Sequence, residues 1–255
     1  MKRILTFILT LTLALSFCVN SFAAATTATA SETQTGTSEA QTDTSKTQAG
    51  TSEAQTDTSK VQAGASYGIS NLSGAPDIVA ESAVVMDANT GTILYGKEAD
   101  TKRYPASITK VMTALLAVEN CKMSDVITYS NAAVNGIEAG SSTAGINVGA
   151  KLTVEDSLYA LMLVSANEAA AAIAEHISGS TTEFAKLMTK RAKELGCTNT
   201  QFKNPHGLPN EEHYTTAHDM GLILKEAMKH EEFRKISGTI SYTLKKSDTL
   251  KDTLE

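Results

Sequence analysis

A mixed α/β or α+β domain over residues 77–255 is predicted by three features of the sequence. Two short β-like runs flank a turn near residue 83, a block of segments with helical apolar spacing follows, and a last β-like run occupies residues 239–244. Hairpin, helical block and strand in that order make a layered fold of mixed class.

The residues before that domain are of two other kinds. Lys2 and Arg3 form a positive n-region, residues 4–19 an apolar h-region, and Ser21-Phe22-Ala23 ends in small residues. That is the pattern of a secretory signal peptide over residues 1–23, cut after Ala23 or one or two residues later. The apolar run is short for a bilayer span, and the bulky Phe17 before Cys18 argues against lipidation there. From 24 to 76 the composition turns to Thr, Ser, Ala, Gln and Gly, and a unit is nearly repeated: TQTGTSEAQTDTSK at 33–46, TQAGTSEAQTDTSK at 47–60, with another copy beginning at Val61. Stacked copies would bury almost no apolar surface. A solenoid is therefore excluded, and a disordered, solvated tether is expected.

Within the domain, Ala83-Val84-Val85-Met86 and Thr92-Ile93-Leu94-Tyr95 are β-like, and Asp87-Ala88-Asn89-Thr90-Gly91 supplies the turn of a hairpin. A helix starts at Ala106 or Ser107, just after Pro105, whose missing N–H costs nothing there. Ile108, Val111, Met112 and Leu115 recur at i, i+3, i+4 and i+7, which predicts one buried stripe. The Gly- and Ser-rich stretch from Gly136 to Gly149 reads as loop with a short hairpin. Thr153-Val154-Glu155-Asp156 opens another apolar helix, with Leu158, Leu161 and Met162 inward, and this helix breaks at Ser165-Ala166-Asn167. Helices follow over 168–177, alanine-lined on its inner side, and 183–195, stopped by Gly196. Asn204-Pro205-His206-Gly207 is a turn, and Thr216-Ala217-His218-Asp219 caps a helix reaching His230.

The helix after Pro105 carries the first chemical signal. Ser107 and Lys110 lie three residues apart in its first turn, hence on one face. The partial positive charge of a helix N-terminus disfavours an ammonium ion, and burial among Ile, Val, Met and Leu disfavours it further. Both effects push Lys110 toward a neutral amine able to take the proton of Ser107, and a serine so activated attacks acyl carbons. A Ser-x-x-Lys is expected about once by chance in a chain this long, so the spacing alone leaves a purely structural reading open.

Composition excludes other classes. The formal net charge of −6 becomes about −8 once Lys2 and Arg3 are lost, which argues against nucleic acid and leaves no basic patch for anionic lipid. Beyond the leader only Cys121 and Cys197 remain, with no Cys-x-x-Cys and no Cys/His cluster. No metal and no cofactor are expected, and the two cysteines are expected to stay unpaired.

Ser165-Ala166-Asn167 sits in a break between helices, after Ser107-Ile108-Thr109-Lys110. Ser-x-x-Lys followed by Ser-x-Asn are two parts of the signature of penicillin-binding proteins and serine β-lactamases. More closely, the chain resembles the low-molecular-mass D-alanyl-D-alanine carboxypeptidases. The likeness rests on Ala83-Val84-Val85-Met86-Asp87, Thr90-Gly91, Leu94-Tyr95 and Pro105-Ala106-Ser107-Ile108-Thr109-Lys110. It continues through Leu152-Thr153-Val154-Glu155-Asp156, Ser165-Ala166-Asn167-Glu168-Ala169-Ala170, Phe202-Lys203-Asn204-Pro205-His206-Gly207-Leu208 and Tyr214-Thr215-Thr216-Ala217-His218-Asp219-Met220. The resemblance implies a two-part transpeptidase fold and an enzyme that removes the terminal D-alanine of peptidoglycan stem peptides through an acyl-enzyme. Ser107 would be the nucleophile, Lys110 its base, and Ser165 a proton relay to the leaving amine. Asn167 would bind the substrate peptide and hold Lys110, and the Ser107 N–H would supply half of an oxyanion hole. His206 would lie in a loop at the site, as a turn residue or as a substrate contact. His176, His213, His218 and His230 read as surface or capping residues. β-Lactam antibiotics would be covalent inhibitors, the location extracytoplasmic, and the protein a monomer.

The third part of the signature, Lys-Thr-Gly, does not occur in these 255 residues, nor does Lys-Ser-Gly or His-Thr-Gly. In the family that triplet lies on a later sheet strand, which here would fall past Glu255, together with the remaining strands and a C-terminal β-domain. The expectation is an incomplete catalytic domain that turns over poorly alone. Two other functions stay in view. A serine β-lactamase of the same fold is disfavoured because no Glu-x-x-x-Asn follows Ser165 in the expected loop, and a non-catalytic wall-binding surface protein is the third reading.

Overall fold

Asp87 shapes the first turn. Its carboxylate accepts the N–H groups of Asn89 and Thr90 and the Thr90 hydroxyl, at 3.1, 2.7 and 2.8 Å, and Gly91 closes the turn at φ 80. Strands β1 (Ala83–Met86) and β2 (Ile93–Lys97) pair antiparallel across it, with a register shift between Val85 and Met86. The expected hairpin is present. The structure, a computed structural model, describes residues 78–244. The signal peptide at 1–23, the repeats at 24–76 and the last residues of the predicted domain lie outside the described residues.

A 3-10 turn, Ala106–Thr109, leads into α1 (Lys110–Asn120). The predicted apolar stripe needs correcting at its start. Met112 and Leu115 are fully buried, but Ile108 is 58% exposed and Val111 half-buried. The 3-10 winding advances 120° per residue instead of 100°, so Ile108 faces away from the stripe that the α period would assign it.

Strand β3 (Val126–Thr128) pairs antiparallel with β4 (Lys151–Thr153), placing Ile127 opposite Leu152, both buried. The Gly-rich stretch between them is loop, preceded by the short helix α2 (Asn131–Asn135), in place of the expected hairpin within it. Helix α3 (Val154–Leu163) begins as read from the sequence. Thr153 accepts the N–H of Asp156 at 3.0 Å, and Glu155 and Asp156 occupy the positive end of the helix.

Helix α4 (Asn167–Ser178) is the centre of the helical block. Ala169, Ala170, Ala171, Ala172 and Ala174 are all buried, and their small side chains let α1, α2, α3 and α5 (Thr181–Glu194) pack against one helix. Leu115, Leu158, Leu161, Ile173, Phe184 and Met188 fill the space around it, each at most 1% exposed. After α5, residues 198–216 are tied down by bridges pairing Gln201 with Tyr214 and Arg103 with Thr215. The buried Asp219 accepts from the Asn199 N–H and the Thr200 hydroxyl at 2.8 and 2.7 Å.

The helix expected to reach His230 ends earlier. Helix α6 (Ala217–Ala227), capped by Thr216 as expected, gives way to a separate α7 (Glu231–Ser237). Residues 239–244 do not form the predicted strand, for they have no ladder partner among the described residues. Tyr242 and Leu244 pack inward instead. Tyr242 stacks on Tyr159 at 3.6 Å between ring centroids, its hydroxyl donates to Asp156 at 2.7 Å, and Leu244 is buried. Cys121 and Cys197 are unpaired.

Candidate active site

Ser107 sits on the 3-10 turn, and Lys110, directly after it, is the first residue of α1. With three residues per turn, positions i and i+3 eclipse one another, so the winding that displaced Ile108 aligns the hydroxyl and the amine. Ser107 is exposed, whereas Lys110 is 3% exposed. The Lys110 Nζ lies 3.4 Å from Ser107 Oγ, 2.7 Å from Asn167 Oδ1 and 2.9 Å from the His206 carbonyl oxygen.

That set of partners orients the amine. The Asn167 amide oxygen and the His206 carbonyl can only accept, so each takes an N–H of the amine. A neutral amine has two N–H bonds, and its lone pair is left facing the third partner, the Ser107 hydroxyl. Burial pushes Lys110 down to about 8, and only the charge of Glu168 opposes the shift. The cause is thus desolvation, as the sequence anticipated from its apolar neighbours.

The Ser-x-Asn turn meets this pair from the other side. Ser165 Oγ lies 3.1 Å from Ser107 Oγ, bringing together residues 58 apart in the chain. Ser165 has a left-handed φ of 58, and Ala106, just before Ser107, has φ 48. Such conformations cost non-glycine residues about 1–2 kcal/mol each and concentrate at functional sites. The Ser165 turn is held by its surroundings: the Ala166 N–H donates to the Ala160 carbonyl at 3.1 Å and the Asn167 N–H to the Ser142 carbonyl at 3.0 Å. Glu168, 2% exposed, fixes the flanking loop by accepting from the Thr143 hydroxyl and the Ala144 N–H at 2.6 and 2.7 Å.

Every site residue named from the sequence is therefore near Ser107 or Lys110, but His206 enters differently. Its backbone oxygen meets Lys110, while its ring Nδ1 accepts the Leu208 N–H at 3.2 Å within the turn. Burial, aided by the positive charge of Lys110, pushes its pKa down to about 4. Gly207 has φ 88, and a Cβ there would overlap the Ala106 carbonyl oxygen, so glycine is what lets this turn abut the one that carries Ser107. Thr113 Oγ1 donates to the Pro205 carbonyl at 2.6 Å, one helical turn further on.

The reading of His213 as a surface or capping residue is wrong. It is 2% exposed, its Nε2 lies 2.8 Å from Thr109 Oγ1, and its Nδ1 accepts the Lys203 N–H at 3.2 Å. Nothing local marks it, because the segment around it is polar and its burial arises from packing against Phe202 and the turn that carries Thr109. His176 is exposed.

Among the described residues one trio of possible metal ligands comes together: Glu119, Glu226 and His230. Arg191 occupies it, donating Nε and Nη2 to Glu119 at 3.0 and 2.6 Å, so the group reads as an ion-paired clasp between α1, α5 and α6. It lies at the far end of α1, about 13 Å along the helix from Lys110.

Comparison with known proteins places this geometry. Residues 70–254 match the family described as D-alanyl-D-alanine carboxypeptidase. The chain is 44% identical over 165 residues to the D-alanyl-D-alanine carboxypeptidase DacF of Bacillus subtilis, covering 63% of this chain and 42% of that protein. It is 36% identical over 179 residues to the D-alanyl-D-alanine carboxypeptidase of Streptomyces sp. strain K15, covering 67% and 62%. Among solved structures, the Streptomyces K15 DD-transpeptidase superposes with a TM-score of 0.65 at 35% identity, covering 71% of this chain and 74% of that one. Penicillin binding protein 5 of Haemophilus influenzae gives 0.60 at 33% identity, covering 64% and 49%. The chain spans about two fifths of the length of the first relatives it matches, at 42%, 39% and 40%.

Proposed function

The chain belongs to the D-alanyl-D-alanine carboxypeptidase family, and from that premise we propose that it carries the acyl-forming centre of a serine peptidase acting on peptidoglycan stem peptides. One observation supports this most strongly. An exposed Ser107 hydroxyl stands within hydrogen-bonding reach of a buried amine and of a second serine hydroxyl.

In the proposed reaction, Ser107 Oγ attacks the carbonyl carbon of the terminal D-Ala-D-Ala peptide bond while its proton passes to Lys110 Nζ. The Ser107 N–H stabilises the developing oxyanion. The C–N bond then breaks, and the leaving amine of the terminal D-alanine takes the proton from Lys110 through the Ser165 hydroxyl. An ester on Ser107 remains, and water hydrolyses it with Lys110 again as the base. Asn167 holds Lys110 on one side and offers its amide N–H groups to the substrate backbone. A β-lactam amide would be opened by the same attack and stay attached as an ester. The chemistry uses no metal or cofactor, and the substrate sets the location: residues 1–23 act as a secretory signal, and 24–76 tether the domain outside the cytoplasm.

Labelling with a fluorescent penicillin tests this. The full chain becomes covalently labelled on the peptide containing Ser107, and Ser107→Ala abolishes the label. Undiminished labelling of the Ser107→Ala protein would refute the assignment.

A further inference from the structure

His213 lies outside the reaction as written, yet it is the most deeply buried histidine near it. Burial pushes its pKa down to about 4, so the ring is neutral under ordinary conditions. The neutral ring has one N–H. Because Nδ1 accepts the Lys203 N–H at 3.2 Å, that proton is on Nε2, which donates to Thr109 Oγ1 at 2.8 Å. The edge of Phe202 holds the imidazole from the side, with ring centroids 5.5 Å apart and planes at 77°.

Thr109 directly precedes Lys110 and lies two residues after Ser107. Its turn and the start of α1 are bound to the 203–213 segment at three positions: Thr109 to the His213 ring, Lys110 to the His206 carbonyl, and Thr113 to the Pro205 carbonyl. The last two bonds end on the backbone of one Pro-His-Gly turn. The first ends on a side chain 104 residues away in sequence and is the only one of the three that acts on the Ser107–Thr109 half of the turn. That half follows the strained Ala106 and belongs to a single 3-10 turn, a winding with poor hydrogen-bond geometry of its own.

We propose that His213 is a positioning residue for acyl transfer: its Nε2–H to Thr109 Oγ1 bond holds the 3-10 turn in the register that places the Ser107 hydroxyl on the lone pair of Lys110. This rests on the function proposed above, and it assigns a role to a side chain that touches neither substrate nor reacting atoms. The tautomer gives the role its sign. A donor must stand at the Nε2 position, and the acceptor at Nδ1 serves only to orient the ring.

Two amides separate these contributions. In His213→Gln the side-chain nitrogen can occupy the Nε2 position and donate to Thr109. In His213→Asn the amide oxygen can replace Nδ1 as acceptor for Lys203, and nothing reaches Thr109. The full-length chain is compared with these variants and with Thr109→Val, using the acylation rate of a fluorescent penicillin resolved into prebinding and acylation steps. His213→Asn and Thr109→Val should each slow the acylation step by about tenfold or more, the effect of a small misplacement of reacting groups. Prebinding should be little changed, His213→Gln should restore most of the rate, and the double variant His213→Asn/Thr109→Val should be no slower than either single one. Equal rates for wild type and His213→Asn, or equal losses in Asn and Gln, would overturn the proposal. Amide hydrogen exchange at residues 107–110 decides it independently of acylation. Exchange should be faster in His213→Asn than in His213→Gln, and equal exchange in the two would overturn the role. Failure of the wild type to acylate would instead count against the proposed function.

Discussion

Asn167→Asp changes almost nothing in shape and places a carboxylate where an amide oxygen now sits 2.7 Å from Lys110 Nζ. At an effective dielectric of about 20, a unit charge at that distance stabilises the ammonium by about 6 kcal/mol. The new carboxylate must itself be desolvated in a site that is 3% exposed, which offsets much of that gain. The shift left over is the one to three pKa units usual for a close opposite charge. Lys110 starts at about 8, so at pH 7 about one molecule in ten has the neutral base. Raising it by about two units lowers that fraction, and with it acylation at pH 7, about a hundredfold. The sign is definite, because the base works deprotonated: the variant's rate should climb about tenfold per pH unit and level off near pH 10, whereas the wild type levels off near 8. Stopped-flow or gel-based acylation by a fluorescent penicillin across pH 6–10 measures both curves. A variant with the wild-type rate and an unmoved midpoint would refute the assignment of Lys110 as the neutral base.

Two further perturbations test the scaffold behind the site. Gly207→Ala puts a methyl group into the Ala106 carbonyl at a backbone φ of 88, so the turn must move. A loss of about 3 kcal/mol in a denaturant melt, with acylation depressed in whatever remains folded, is the expected result. Wild-type behaviour would mean that the two turns are not in contact. Asp219→Ala strips the part-buried Asn199 N–H and the buried Thr200 hydroxyl of their charged acceptor, at a cost of about 3 kcal/mol in the same melt. A change below about 0.5 kcal/mol would show that the loop is held by other means.

The sequence was legible where chemistry is local. The Asp87 turn, the Thr153 and Thr216 caps, and the break at Ser165 are each set by residues within four positions of one another, and each is present. The Ser107–Lys110 pair was also readable, since three-residue spacing aligns side chains in either kind of helix. What escaped depends on distant packing. The β3–β4 ladder joins two three-residue strands across a Gly-rich loop, too short to leave an alternating pattern. Ile108 is displaced by a switch from α to 3-10 winding that its own sequence does not announce. His213 and Glu168 look like polar surface residues in the chain, and only the fold shows them buried, against the Thr109 turn and the 143–146 loop. Residues 239–244 alternate like a strand, yet Tyr242 finds a ring to stack on instead of a ladder to join.

The ionisation of one side chain bears on all of this most directly. Carbon-detected NMR of the full chain labelled at lysine Cε, with Lys110→Arg to assign the resonance, gives its titration without any substrate. A midpoint near 8, set apart from the other lysines, is what a desolvated base facing Ser107 requires. A midpoint at the ordinary 10.5 would contradict it.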